Sequence, residues 1–372
     1  MNLPEHLALR LNASQLRHAL RTAIAATITF ALTLLLNLEQ GYWAVFSSIL
    51  VMQAHVGGSI AASWARLLGT ASGALLGALS ATAADAWLGA GVSGLGAAMF
   101  VTVFFCALLA SQNENLRLAG LTAAVVICLH GVMGGSALEI GLWRFLEVGL
   151  GIVVALAVSL AWPSHARVVL RYGLGKGLTE LSALLATLLE TRLGGGYDAG
   201  RVFHRKDAVL RLLLRNRQLL SAALREPGTA AQGGELSTLL ELEDRMAEHL
   251  LAMAHAVENA PPEGFHRHLS DELRELGEAL EEAMTGLGRA VATKAPPPAA
   301  AAPRLGAALA AAGDKLLDLR RQRTIAVYDL DEVMHFYSFY HALREAARLV
   351  LAELWRRGGV EATAPRPPES AR

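Results

Sequence analysis

Between Thr22 and Pro163 the chain almost runs out of charge. Its only cations there are Arg66, Arg117 and Arg144, and its only acids are Glu39, Asp85, Glu114, Glu139 and Glu147. A soluble domain carries about a quarter charged residues. This chain of 372 residues has 18%, most of it after residue 165. One half therefore suits a bilayer and the other suits water. The zero net charge says little about partners, because it averages over two unlike halves. Cys106 and Cys128 fall inside apolar runs and read as buried small hydrophobes, not as a disulfide or metal ligands. The first apolar run ends in LLLNLEQGYW without a small-residue cleavage pattern, so it reads as a span and not as a secretory signal.

A helix crosses the hydrocarbon core with about 20 apolar residues. Six candidates satisfy this or come close: 20–38, 42–56, 66–84, 92–110, 118–134 and 142–162. The second and fifth are short and run into Gly57-Gly58 and Gly134-Gly135. Arg10, Arg17 and Arg21 precede the first span. Arg66 follows the second, Arg117 the fourth, and Arg167, Arg171 and Lys176 the sixth. Glu39, Asp85 and Glu139 mark the other connections. Retention of positive charge on the inner side then predicts that both termini are cytoplasmic. Trp43, Trp64, Trp87, Trp143 and Trp162 stand near span ends, where amphipathic rings favour the lipid interface.

After Pro163, apolar residues recur at helical spacing with no competing strand pattern. The chain thus reads as all-α: a six-helix transmembrane bundle of two inverted three-helix repeats, followed by a cytosolic helical bundle. The expected boundaries are a cytoplasmic segment 1–19, a transport domain 20–162, a cytosolic domain 163–293, a linker 294–303, a helical pair 304–358 and a disordered tail 359–372.

The repeat is legible when Arg66 is set on Arg144. Arg66, Gly69, Gly73, Gly77 and Ala81 then match Arg144, Glu147, Gly151, Ala155 and Ser159, all on one helix face. VGGS at 56–59 likewise echoes MGGS at 133–136. A three-span unit repeated once enters the membrane in opposite senses, an arrangement found in many transporters. Small residues at this spacing let helices approach closely in lipid, which accounts for Gly69, Gly73, Gly77 and Gly151. The arginines are left over. Arg66 is either a snorkelling anchor or an anion ligand; Arg144, on the outer side, suits an anchor less well. Each would head its span near a helix N-terminus, where macrodipole and guanidinium together favour a carboxylate, with one such site facing each mouth. Glu147, one turn beyond Arg144, could partner it or take part in proton coupling. The short spans two and five contribute Trp43, Ser47, Ser48, Gln53, His55, Thr122 and His130 as candidate substrate contacts. His130 is also a proton-relay candidate, with a hydrogen-bonded core role as the alternative.

The stretches GYWAVFSSILVMQ, ARLLGTASGALLGA and RFLEVGLGIVVALAVSLAWP resemble the membrane unit of the fusaric acid resistance and aromatic acid exporter family over roughly residues 15–165. Plant aluminium-activated malate channels are similar in plan. The resemblance implies export of aromatic or other organic carboxylate anions across the bacterial inner membrane, in some members with a periplasmic adaptor protein. Basic residues along the dimeric anion pore of the plant relatives support that role for Arg66 and Arg144. Many members are about twice this length with a second membrane unit, so two copies are expected to assemble as a homodimer.

GLGKGLT at 173–179 lacks the spacing and preceding strand of a phosphate loop, and no cofactor, metal or nucleic-acid partner is expected. Membrane lipid is the expected surroundings of the apolar half. The Arg201–Arg217 stripe reads as a solvated or lipid-facing surface, with collection of anions as the alternative. YDLDEVMHFYSFYHAL reads as helix core or a dimer contact. No nucleophile–base constellation points to an enzyme. The readings in contention are a proton-coupled exporter, a passive organic-anion channel on the same fold, and a membrane-anchored scaffold of the cell envelope.

Overall fold

The computed structural model describes residues 13–89, 91–194, 196–258 and 264–358. The start of the N-terminal segment, including Arg10, and the tail from 359 lie outside them. Every regular element among the described residues is helical. Contacts divide the chain into two compact units: the residues up to Ala166 with Ala222–Gly228, and Arg167–Ser221 with the residues from Thr229 on.

The first unit contains α1 (Ala13–Leu35), α2 (Tyr42–Val51), α3 (Val56–Leu88), α4 (Val92–Gln112), α5 (Ala119–Met133) and α6 (Ala137–Ala161). Among the described residues five segments are long and apolar enough to cross a membrane: α1, α3, α4, α6, and α5 with the turn before it. The second expected span is different. α2 has 10 residues, about 15 Å of helix, and the chain is extended at Met52 before α3 starts. Tertiary bonds hold this break open. The Gln53 N–H donates to Ser59 Oγ at 2.9 Å, and the Arg21 guanidinium donates to the Ala54 carbonyl at 3.2 Å. α3 begins at Val56 and runs 33 residues, so Gly57-Gly58 open a helix where the sequence suggested a stop. α6 likewise starts at Ala137, where Ser136 accepts a hydrogen bond from the Glu139 N–H. That Ser-x-x-Glu pattern is a recognisable helix start.

A repeat of three helices is visible in how the helices pack. α3 lies against α5 as α6 lies against α2, while α3 and α6 pack on each other. The two glycine ladders make matching contacts. A Cβ added at Gly73 would collide with the Ala119 carbonyl oxygen and lie 2.8 Å from Thr122 Cβ. One added at Gly151 would collide with the Ala44 carbonyl oxygen and lie 3.0 Å from Ser47 Cβ. Equivalent glycines thus meet equivalent alanine–hydroxyl pairs. Outward, α4 exposes Val101, Phe104, Phe105 and Leu108, an apolar surface of the kind that suits lipid. Cys106 is buried, but Cys128 is exposed on α5, which corrects the expectation for the second cysteine.

The second unit is built from α7 (Ala166–Gly194), α8 (Ala199–Ala223), α9 (Ala230–Glu258), α10 (Ser270–Thr293), α11 (Ala301–Arg321) and α12 (Leu330–Gly358). α7 buries Leu170, Leu174, Leu178, Leu181, Leu185 and Leu188, and α10 buries Leu273, Leu276, Leu280, Leu287 and Val291. Both stripes follow the helical repeat. Phe336, Phe339 and Tyr340 of the aromatic run are core residues of α12. α11 starts at Ala301, inside the expected linker, because Pro303 falls in the first turn where no helical N–H is needed.

Candidate functional site

The site is built around α2. Arg66 lies ten residues into α3 and Arg144 seven residues after the start of α6, so neither is at a helix N-terminus. Both are 3% exposed. The expectation that backbone N–H groups would assist each arginine is therefore corrected: the helices begin earlier than hydropathy suggested, and the guanidinium groups act alone. The expectation of one site per mouth is corrected too. Both arginines reach α2, Arg66 donating from Nε to Ser47 Oγ at 3.4 Å and Arg144 stacking 4.3 Å above the Trp43 ring. Trp43 and Ser47 are one helical turn apart, and the two cations lie close enough to repel each other. Arg144 also donates to Gln40 Oε1 at 2.7 Å and to Glu147 Oε2 at 3.3 Å. Gln40 was not singled out in the sequence; polar loop residues carry no periodic signal.

Two buried guanidinium groups thus face one buried carboxylate. Arg66 Nη1, Arg144 Nε, Trp43 Nε1 and the Thr70 hydroxyl are buried without a hydrogen-bond partner among the described residues. Burying an unbalanced charge costs several kcal/mol even after relaxation. A monocarboxylate entering here would cancel the excess charge and use the free donors in charge-assisted hydrogen bonds. No metal or cofactor is needed for that chemistry.

The other candidates are placed apart from the two arginines or are already occupied. Ser48 is buried and returns its hydroxyl to the Val45 carbonyl at 2.8 Å, so it is occupied by its own helix. Gln53 is exposed, and His55 Nδ1 lies 3.3 Å from Ser164 Oγ at the α2–α3 break. His130 Nε2 lies 2.7 Å from Asp85 Oδ2. Asp85 stands nineteen residues beyond Arg66 on α3, roughly 28 Å of helix, so His130 does not join the arginines. Thr122 faces the Gly73 ladder.

The second unit also gathers charge, but there it is balanced. Glu235 accepts from Arg171 at 3.0 and 2.8 Å and from Arg357 at 3.0 Å. The Arg171 hydrogen bonds hold its carboxyl down to about 2. The basic face of α8 pairs through Arg201–Glu190, Arg205–Glu180, Arg211–Asp207 and Arg217–Asp244. These pairs lie within the unit.

Several helices long and apolar enough to cross a membrane, packed as two matching halves around a buried basic site, define a multi-pass membrane protein. The chain belongs to the fusaric acid resistance protein family, whose model matches residues 15–365. It is 27% identical over 278 residues to the uncharacterized transporter YdhK of Escherichia coli (strain K12), covering 71% of this chain and 40% of that protein. It is 27% identical over 180 residues to the inner membrane protein YeeA of the same organism, covering 47% of this chain and 49% of that one. The chain thus spans about half or less of the curated relatives it matches.

Proposed function

We propose that the protein is a transporter, not an enzyme, and that it exports organic carboxylate anions, aromatic ones among them, across the bacterial inner membrane. The observation that supports this most directly is the Arg66–Arg144 pair. Two buried cations with unused donors face one buried acid, against an indole ring that favours an aromatic neighbour. In this reading α2 and the extended Met52–His55 segment complete a sixth crossing, both termini are cytoplasmic, and the Arg167–Ser221 unit is cytosolic. Two copies assemble as a homodimer, and a periplasmic adaptor receives the substrate in the envelope. In this reading Glu147, the buried acid paired with Arg144, competes with the incoming carboxylate for that arginine and is the group that carries the coupling proton.

The test is binding and flux with benzoate as the probe. Purified protein in lipid nanodiscs should bind benzoate, and Arg66→Gln or Arg144→Gln should weaken binding at least tenfold. In proteoliposomes an imposed pH gradient should drive benzoate against its own gradient, and Glu147→Gln should abolish the coupling while leaving downhill flux. Unchanged binding in both arginine variants would refute the anion site. Downhill flux that ignores the pH gradient would leave a passive channel.

A further inference from the structure

Among the described residues of the first unit the buried cations are Arg21, Arg66 and Arg144, and the buried acids are Glu147, paired with Arg144, and Glu226, which accepts from the Ala166 N–H and lies beside His165. Arg21 is the most enclosed, with 0% exposure. Its two hydrogen bonds go to neutral acceptors: Nη1 donates to the Ala54 carbonyl at 3.2 Å and Nη2 to Ser159 Oγ at 2.7 Å. Its Nε has no partner, and no acid pairs with it among the described residues. The charged group that acts on it is another cation, Arg17, one turn back on α1.

Arg21 is separated from the first site by an apolar layer. One turn further along α1, Ala25 packs with Val51, Met52, Val148, Ile152 and Ala155, and Leu67 of α3 closes against them. On α3, Ser63 stands one turn before Leu67; it is buried and its hydroxyl has no partner. Buried polar groups with unused hydrogen-bonding capacity therefore occur on both sides of the layer. A structural role for Arg21, holding the α2–α3 break through Ala54, uses one of its donors and does nothing for its charge.

We propose that Arg21, with Ser159, is a second carboxylate-binding station, in series with the Arg66–Arg144 site and divided from it by the apolar layer. The ligand is a monoanion, since one uncompensated cation is present and the hydroxyl of Ser159 can turn to donate to it. The proposal rests on the transport reading for its direction of passage but not for the station itself. The titratable group that acts on Arg21 is Arg17 on its own helix; α6 presents Ser159, and the α2–α3 break presents a carbonyl.

The test counts benzoate bound per chain at saturation, with the full chain in nanodiscs of zwitterionic lipid. Two sites are expected for the wild type and one for Arg21→Gln, whose remaining site keeps its affinity. Arg144→Gln should likewise retain one site. Arg21→Lys should restore two, and Ser159→Ala should weaken the second site several-fold in a protein that folds normally. A single wild-type site lost in Arg144→Gln, or two sites retained in Arg21→Gln, overturns the station and leaves the first site standing. One site surviving Arg66→Gln and Arg144→Gln unchanged and vanishing in Arg21→Gln supports the station and refutes the proposed function. Loss of the second site when anionic lipid is added assigns Arg21 to a lipid headgroup and overturns passage of substrate. An Arg21→Gln protein that aggregates while Ser159→Ala binds two benzoates at wild-type affinity also overturns it.

Discussion

Glu243 offers a sharp test of how the second unit is held together. Its side chain, 0% exposed on α9, and that of Asn216 each fill space left by a glycine of α7. A Cβ at Gly177 would collide with Glu243 Oε1, and one at Gly173 with Asn216 Oδ1. This is the structural meaning of GLGKG, which only superficially resembled a phosphate loop. The Asn216 amide donates to Glu243 Oε2 at 3.0 Å, while Glu243 Oε1 and Asn216 Oδ1 have no partner among the described residues. Burial pushes the carboxyl up to about 8, against the Asn216 hydrogen bond and with help from the neighbouring Asp244 charge. In the unfolded chain the same group ionises near 4.5. Below that pH both states hold the proton and the residue adds no pH dependence. Between about 4.5 and 8 the unfolded chain releases the proton and the folded one keeps it, so stability falls by up to about 1.4 kcal/mol per pH unit. The loss levels off above the folded value, at a ceiling of roughly 5 kcal/mol. Glu243→Gln keeps the shape, removes the titration and supplies a donor for Asn216 Oδ1. Thermal unfolding of the full protein at a series of pH values, read as variant minus wild type, cancels every other titrating group. The difference should be small at pH 5 and grow by on the order of 10 °C by pH 8. A difference that is flat from pH 5 to 8, or a wild type more stable at pH 8, would refute the reasoning.

Other outcomes follow from the first unit. Arg66→Gln and Arg144→Gln should each weaken benzoate binding by about 1.5–3 kcal/mol, the range of a hydrogen bond to a charged group, measured by equilibrium dialysis. Glu147→Gln should tighten binding and flatten its pH dependence, because the competing carboxylate is gone; weaker binding would show that Glu147 contacts the ligand favourably. Gly73→Ala and Gly151→Ala should destabilise the protein in detergent by similar amounts, about 1–3 kcal/mol each. The nearest atom to an added methyl at Gly69 is Leu118 Cβ at 3.2 Å, so Gly69→Ala should cost less.

Much of this architecture was readable because it depends on local periodicity. The scarcity of charge from Thr22 to Pro163 separated the apolar half from the rest, and the Arg–Gly ladders exposed the repeat whose glycines do meet matching partners. What failed to show was decided by contacts distant in sequence. Hydropathy reads 42–56 as continuous, yet α2 ends at Val51 because Ser59 and Arg21 supply partners to the broken backbone. His130 looked like a member of the short-span polar set, but its partner Asp85 lies 45 residues earlier on another helix. The helix starts were partly legible: Ser136 and Glu139 form a capping pattern that places the start of α6 five residues before the apolar run at 142. No comparable signal marks the start of α3, whose N-cap His55 makes no side-chain capping bond.

The departure from symmetry at the arginines bears most on function. In backbone and packing the two repeats agree closely enough that Thr122 stands in α5 where Ser47 stands in α2, each against an equivalent glycine. A symmetric arrangement would give Arg66 to Ser47 and Arg144 to Thr122, keeping the cations apart. Instead Thr122 returns its hydroxyl to the Leu118 carbonyl at 3.2 Å, and Arg144 turns to Gln40 and Trp43 on α2. The second cation therefore joins the first, against their mutual repulsion and with a single acid to offset both. Helix packing does not require this, since the glycine contacts would be unchanged by either rotamer. Nor does a topological anchor, because both side chains are enclosed by protein. An anion between them removes the repulsion and satisfies Arg66 Nη1 and Arg144 Nε together, which makes the broken symmetry the structural argument for a ligand.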